Sequence, residues 1–450
     1  MVSISIPWGD GTLPLELPAT WTVQQTASAA LPPAPADWPD QLARALTRPE
    51  GAPPLAKLLQ ARHGGRIAVV VEDLTRHSPL VEILRILFRE LTHAEIPPDN
   101  IEIVFATGMH PPLSPAEAAA KIGEPFASTV HWRNNPCRDR DAYENLATLH
   151  DGAASLDLWV DRGVATADLR IVVTSVSPHL QSGFGGGHKM LLPGCAHLDS
   201  IRQLHLSGVP RRPTQQVGQT TAENRMRRLI EAAGAAVDAA GGRTFGVQYV
   251  LDGNDQPGAI AVGDVLSCHR MLAKTCAAGC GVLVDAPADV VIASAAPRDF
   301  DLWQSFKAVA NTCWALRDNG VLICLTRCPG GANMPTLSLP IRPSWVRAAV
   351  RITGADPLAN LLSRFVPTLA GDAAFFVRLA MRTLQRNTVL MVSPALVESG
   401  HRMVGLPLYG DPAEAIAVAE RALGGGPKRV LVFPQGGVTY PVMRAHPIGE

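Results

Sequence analysis

The densest run of chemistry-bearing residues in the chain is Pro178-His179-Leu180-Gln181-Ser182-Gly183-Phe184-Gly185-Gly186-Gly187-His188-Lys189-Met190-Leu191-Leu192-Pro193-Gly194. Four glycines in five positions let a backbone adopt positive φ and approach a bound group closely. Two histidines and one lysine stand in that frame, which makes poor core material and good site material. The run is not a phosphate loop, which needs glycine before its lysine and a hydroxyl residue after it to reach magnesium; here His188 precedes and Met190 follows. The plain alternative is a glycine-rich surface loop with a solvated lysine.

Three further groups share its setting. Asp73-Leu74-Thr75-Arg76 follows the expected buried strand Arg66–Val71, and Thr107-Gly108-Met109-His110 follows the strand Ile101–Ala106. Gln304 and Lys307 lie one helical turn apart on a helix expected over Asp301–Ala310, after the strand Asp289–Ser294. The glycine run itself follows Leu169–Val173. Each group therefore sits just past the carboxyl end of an apolar strand, where open α/β sheets bind ligands. Taken singly, each has a structural reading: a helix cap, a loop histidine bonded to a carbonyl, a solvated helix face, and for His205 a structural imidazole. Their common placement favours one site, expected in a cleft between domains.

The elements that must position these residues alternate strand with helix, which gives an α/β fold class: two domains with open, mostly parallel sheets flanked by helices. At 450 residues the chain exceeds one compact core. A boundary is expected around Gly263–Gly281, dividing it into 1–272, which carries the glycine run and the histidines, and 273–450, which contributes Gln304 and Lys307. Residues 1–30 read as a small β unit with a turn at Gly9-Asp10-Gly11, 131–162 as a polar stretch, and 213–241 as an alanine-rich helix. Ser114-Pro115-Ala116-Glu117 carries a helix-start signature.

Forty basic residues balance forty acidic ones, which argues against a nucleic-acid partner. No apolar run approaches the roughly 20 residues of a membrane helix, and the first residues lack a signal-peptide pattern; the expectation is a cytoplasmic protein with no membrane partner. Eight scattered cysteines lack the two-residue spacing of zinc knuckles and read as reduced, mostly buried thiols.

In order and spacing, Asp73-Leu74-Thr75-Arg76, Thr107-Gly108-Met109-His110, Pro178-His179 with Gly185-Gly186-Gly187-His188-Lys189 and Leu192-Pro193-Gly194, His205, and Gln304-Ser305-Phe306-Lys307 resemble the nickel-dependent lactate racemase family along nearly the whole chain. The resemblance implies a nickel-pincer nucleotide, pyridinium-3,5-bisthiocarboxylic acid mononucleotide nickel, supplied by separate cofactor-biosynthesis enzymes. Lys189 would hold it through a thioamide, and His205 would be the protein ligand of the metal. His110 and His179 would be the acid/base pair, while Arg76, Gln304 and Lys307 would bind a small 2-hydroxy acid. Asp73, Thr75, Gly186 and Gly187 would hold the ribose and phosphate, and Trp303 would pack on the pyridinium or serve the core.

The implied reaction inverts C2 by moving hydride to and from the cofactor while histidines exchange the hydroxyl proton. His188 and His77 depart from the family pattern, so the identity of the 2-hydroxy acid stays open. Two other functions use the same residues. A lyase or hydrolase would place zinc on His110, His179 and His205, and a non-catalytic protein would only bind a nucleotide cofactor.

Overall fold

The computed structural model describes residues 2–62, 64–210, 212–333, 342–365, 374–403 and 405–444. They form two compact units: a central one, Leu31–Gly208 with Gln219–Gly279, and a terminal one, Met1–Ala30 with Val209–Gly218 and Cys280–Glu450. This is not the expected division at 272/273. The N-terminal strands β1 (Val2–Trp8), β2 (Gly11–Leu17) and β3 (Trp21–Thr26) pack with the C-terminal part of the chain. The physical reason is pairing: β3 has its parallel partner in a strand near the chain's end, and Ile6, Leu15, Leu17 and Trp21 bury against that sheet.

The central unit begins with α1 (Trp38–Thr47) and α2 (Leu55–Gln60), then β4 (Ile67–Val71), α3 (Leu80–His93), β5 (Ile101–Phe105), α4 (Pro115–Ile122), α5 (Glu124–Thr129) and β6 (His131–Asn134). There follow β7 (Tyr143–Asp151), β8 (Ala154–Asp161), α6 (Arg162–Ala165), β9 (Leu169–Ser175), β10 (Pro178–His179), β11 (Gly183–Phe184), α7 (Leu198–Ser207), α8 (Arg225–Ala240), β12 (Arg243–Leu251), β13 (Pro257–Gly263) and α9 (Val265–Cys280). Its sheet runs β13-β12-β9-β4-β5-β6, parallel except where β13 pairs antiparallel with β12.

All five residues of β4 are buried, as expected of a strand covered on both faces. Ile67, Val69 and Val71 enter one core with α1, α2 and α3, while Ala68 and Val70 enter the other with α7 and α8. The 131–162 stretch, expected to be polar, holds β6 and the β7–β8 hairpin. Its strands alternate, with Leu149, Leu156, Leu158 and Val160 inward and Thr148, His150, Ser155 and Asp157 outward, so mean polarity conceals the period of two. The helix expected over 213–241 starts only at Arg225, where the Asn224 side chain accepts from Arg227 N, because Val209–Gly218 belongs to the terminal unit.

The terminal unit adds β14 (Gly281–Val284), β15 (Ala288–Ser294), α10 (Leu302–Thr312), β16 (Leu316–Leu325), α11 (Pro343–Thr353), α12 (Ala355–Phe365), α13 (Ala374–Arg386), β17 (Thr388–Val392), α14 (Pro394–Glu398), β18 (Leu408–Tyr409), α15 (Pro412–Leu423), β19 (Lys428–Phe433) and β20 (Tyr440–Met443). Its sheet, β18-β17-β16-β15-β19-β3, is parallel throughout. Two units with open, mostly parallel sheets flanked by helices are the fold class the alternation of elements implies. None of the eight cysteines is in a disulfide, and all but Cys137 are buried. Among the described residues no helix is long and apolar enough to cross a membrane.

Candidate active site

The carboxyl ends of β4, β5 and β9 gather the polar residues of the central unit. Where β4 ends, buried Glu72 accepts from Ser175 N (2.9 Å) and Ser175 Oγ (3.1 Å) at the end of β9, and from Ser78 Oγ. Asp73 comes next, and both of its oxygens are engaged. Oδ1 accepts from Thr75 N at 3.0 Å and Thr75 Oγ1 at 2.5 Å, and Oδ2 lies 2.6 Å from His110 Nδ1. Burial alone would raise the Asp73 carboxyl, but the His110 charge and hydrogen bond, the Thr75 hydroxyl and the Arg76 charge hold it well below the usual range. An ionised carboxylate only accepts, so neutral His110 carries its proton on Nδ1 and its lone pair on Nε2. Asp73, which the family resemblance assigns to the ribose, is here the partner of His110.

His179 is held the other way. Backbone N–H groups of Gln181 (3.2 Å) and Ser182 (3.1 Å) donate to its Nδ1, so the neutral ring carries its proton on Nε2. The two histidines are thus fixed in opposite tautomers, one presenting an acceptor at Nε2 and the other a donor. The loop between His179 and Lys189 turns back on itself as β10 pairs with β11. Gly186 and Gly187 have φ of 76° and 65°. A Cβ on Gly186 would stand 2.8 Å from Ser175 O, and one on Gly187 2.9 Å from the His269 ring. Only glycine serves at both, for conformation and for space.

That backbone delivers Lys189 among the other groups. Its enclosure, with the Arg76 and Arg227 charges, pushes the ammonium down to about 7 although Asp73 pulls the other way. His205, on α7, is pushed down to about 3 by burial and by the charges of Lys189 and His110. Gln181 Nε2 donates to the His205 carbonyl (3.1 Å), and Gly108 N to Gly194 O (2.9 Å). The loops that carry His110, His179, Lys189 and His205 are thereby tied together. Arg76 donates through Nη1 to Thr75 O and Oγ1, each at 3.1 Å, and its Nη2 lies 3.9 Å from where a Gly185 Cβ would stand.

Among the described residues no three His, Cys, Asp or Glu side chains converge as a metal cage. A zinc site on His110, His179 and His205 therefore has no ligand set here. A metal at His205 would have to bring its other donors with it, which suits a pincer nucleotide. A lysine amine about half neutral at pH 7 suits thioamide formation, and a neutral imidazole suits coordination.

In the terminal unit, Asp301 caps α10 by accepting from Gln304 N at 2.7 Å, and Lys307 Nζ donates to Gln304 Oε1. Trp303 stands edge-on to Phe375, ring centroids 6.1 Å apart. Sequence reasoning missed Arg227, His269 and Lys121. Arg227 and His269 are buried against the glycine loop, and Lys121 Nζ donates to Arg76 O at 2.6 Å. A glycine inside the alanine-rich α8 was the available signal for the first, since a helix gives up stability to keep one.

Fold and site together define an open α/β protein with its polar groups gathered at the carboxyl ends of parallel strands. Within that class, residues 8–218 match the model of the lactate racemase N-terminal domain, in line with the resemblance read from the motifs. The lactate racemase of Thermoanaerobacterium thermosaccharolyticum is 27% identical over 74% of this chain and 76% of its own. That of Lactiplantibacillus plantarum is 25% identical over 72% and 74%. The structure of the Thermoanaerobacterium lactate racemase apoprotein superposes with a TM-score of 0.80 at 23% identity, covering 98% of this chain and all of the other. A structural-genomics protein from Thermotoga maritima gives 0.63 at 17% identity over 90% of this chain and 98% of its own. At those identities the superpositions speak for the fold.

Proposed function

We propose that the chain is a racemase or epimerase that inverts C2 of a small 2-hydroxy acid, with a nickel-pincer nucleotide joined to Lys189. The observation that carries this reading is an amine and an imidazole, Lys189 and His205, both held toward neutrality in one place. Two oppositely set histidines belong to the same place, and curated relatives are named lactate racemases. When bound, the group supplies an acceptor for the α-hydrogen as hydride and returns it.

The chain's own residues do the rest. Arg76 grips the carboxylate, a task suited to its planar fork. His110 Nε2 takes the hydroxyl proton, and Asp73 stabilises the imidazolium that results. His110 returns that proton to the oxygen when the hydride comes back, while His179 holds the oxygen in its other orientation through its Nε2–H hydrogen bond. Gln304 and Lys307 are assigned to substrate oxygens, Thr75 and the glycine backbone to the nucleotide. Separate biosynthetic enzymes would supply the cofactor.

The test is coexpression with the cofactor pathway, followed by intact mass, metal analysis and chiral chromatography of stereopure 2-hydroxy acids. Expected are a mass increase that maps to Lys189, bound nickel, and inversion of at least one acid. Lys189→Ala loses the adduct; His110→Ala and His179→Ala keep it and lose inversion. An adduct without inversion of any acid would instead make the chain a cofactor-binding protein.

A further inference from the structure

The glycine loop that delivers Lys189 is not held by its own residues. Three side-chain positions along α8 meet it in order. Asn224, the N-cap, donates through Nδ2 to Gln181 O at 2.8 Å. Arg227, 2% exposed, donates through Nε to Ser182 O (3.3 Å), through Nη1 to Gly186 O (3.5 Å) and through Nη2 to Phe184 O. Gly234 lies seven residues on, two turns along the same helix face, and a Cβ there would stand 2.3 Å from the His188 ring. From α9, His269 Nε2 donates to Gly185 O at 2.9 Å.

We infer that one face of α8 is the template on which the Lys189 loop is set: Asn224 and Arg227 grip its carbonyl oxygens, and Gly234 opens the notch that seats His188, fixing the backbone on the N-terminal side of the lysine. Arg227 and His188 are then positioning residues, and Gly234 is kept in an alanine-rich helix because the notch has no room for a methyl group. A buried guanidinium whose donors are taken up by main-chain carbonyls is costly unless every donor is satisfied, so the loop and the helix fix each other. The functional consequence rests on the reading of Lys189 as the attachment point, since an amine displaced by about an ångström reacts on the order of 100-fold more slowly.

The experiment uses the full chain. Deuterium uptake of peptides spanning 182–190 is compared with that of β12 in cofactor-free protein, and the Lys189 adduct fraction is read after coexpression with the cofactor pathway. Gly234→Ala, which in an ordinary exposed helix stabilises, is expected to raise loop uptake, leave β12 unchanged and slow adduct formation about tenfold or more. Adding His188→Ala removes the obstructing ring and brings both back to the level of His188→Ala alone, which lies between the wild type and Gly234→Ala. Arg227→Met raises loop uptake, and Arg227→Lys recovers part of the protection.

The inference falls if Gly234→Ala keeps wild-type loop exchange, or if the double variant is no better than the single. Should Gly234→Ala not fold, His188→Ala alone decides: loop uptake rises if the notch holds the loop and stays unchanged if it does not. If the wild-type protein gains no mass on Lys189, the attachment reading fails while the uptake comparison still judges the template.

Discussion

Asp73 does its work through His110. Replacing it with asparagine keeps the shape but lets a carboxamide N–H face Nδ1, which favours the tautomer with its proton on the wrong nitrogen. We expect Asp73→Asn to lower kcat by about 10²- to 10⁴-fold, the usual worth of a positioned acid/base group, with the Lys189 adduct intact. A fall confined to adduct mass would return Asp73 to the ribose. Lys189 offers a second reading at this scale. Its ammonium is pushed down to about 7 against ~10.4 for a free lysine side chain, so in cofactor-free protein its acylation by acetic anhydride should reach half-maximum near pH 7. The sign of the linked stability follows. Between about pH 7 and ~10.4 the unfolded chain binds more protons than the folded one, so this lysine makes the fold more stable as pH rises through that window. Lys189→Met should flatten that slope in urea unfolding followed at pH 7 and pH 9.5. The glycine frame, Arg76, His110 and His179 were legible because their types are rare in such surroundings. Arg227 was not, because an arginine in a helix reads as a solvated one and only packing reveals which side it faces.

At the scale of elements, strands buried on both faces were the most legible, since Ile67–Val71 and Val389–Val392 are unbroken apolar runs. The capping box of α4 was legible as well: Ser114 and Glu117 bond reciprocally. What the local pattern leaves out is that α4 also reaches the site. Lys121, 7% exposed in its side chain, stands 3.9 Å from buried Glu72 and donates to the Arg76 carbonyl. Burial lowers this ammonium, and the Glu72 and Asp73 charges oppose the shift. Removing it leaves Glu72 buried with one partner fewer, so Lys121→Met should cost about 3–5 kcal/mol in urea unfolding. Adding Glu72→Gln should recover part of that loss. If the single variant is neutral, the Arg76 turn is held by Thr75 and Asp73 alone.

The whole molecule is assembled in an order that local patterns do not convey, because strand pairing between distant segments leaves no periodicity in either one. Residues 1–30 carried the correct signal of a small β unit, yet β3 completes the edge of a sheet whose other strands all lie beyond residue 287. Trp21, 1% exposed, pairs with Lys428 and packs with Val290, Ile292, Val430 and Val432 in that unit's core. Trp21→Ala removes the largest side chain from this junction and should cost about 3–5 kcal/mol. If the compact units are the cooperative ones, the loss falls on the terminal unit. Limited proteolysis of the variant should then release peptides from residues 281–444 early, while β4, β5, β9 and β12 remain protected, and Lys189 should still acquire its adduct because the loop, α8 and His205 all lie in the central unit. Early cleavage within 67–263 would mean instead that the two units unfold as one, and that the N-terminal strands stabilise the lysine loop as well as the sheet they complete.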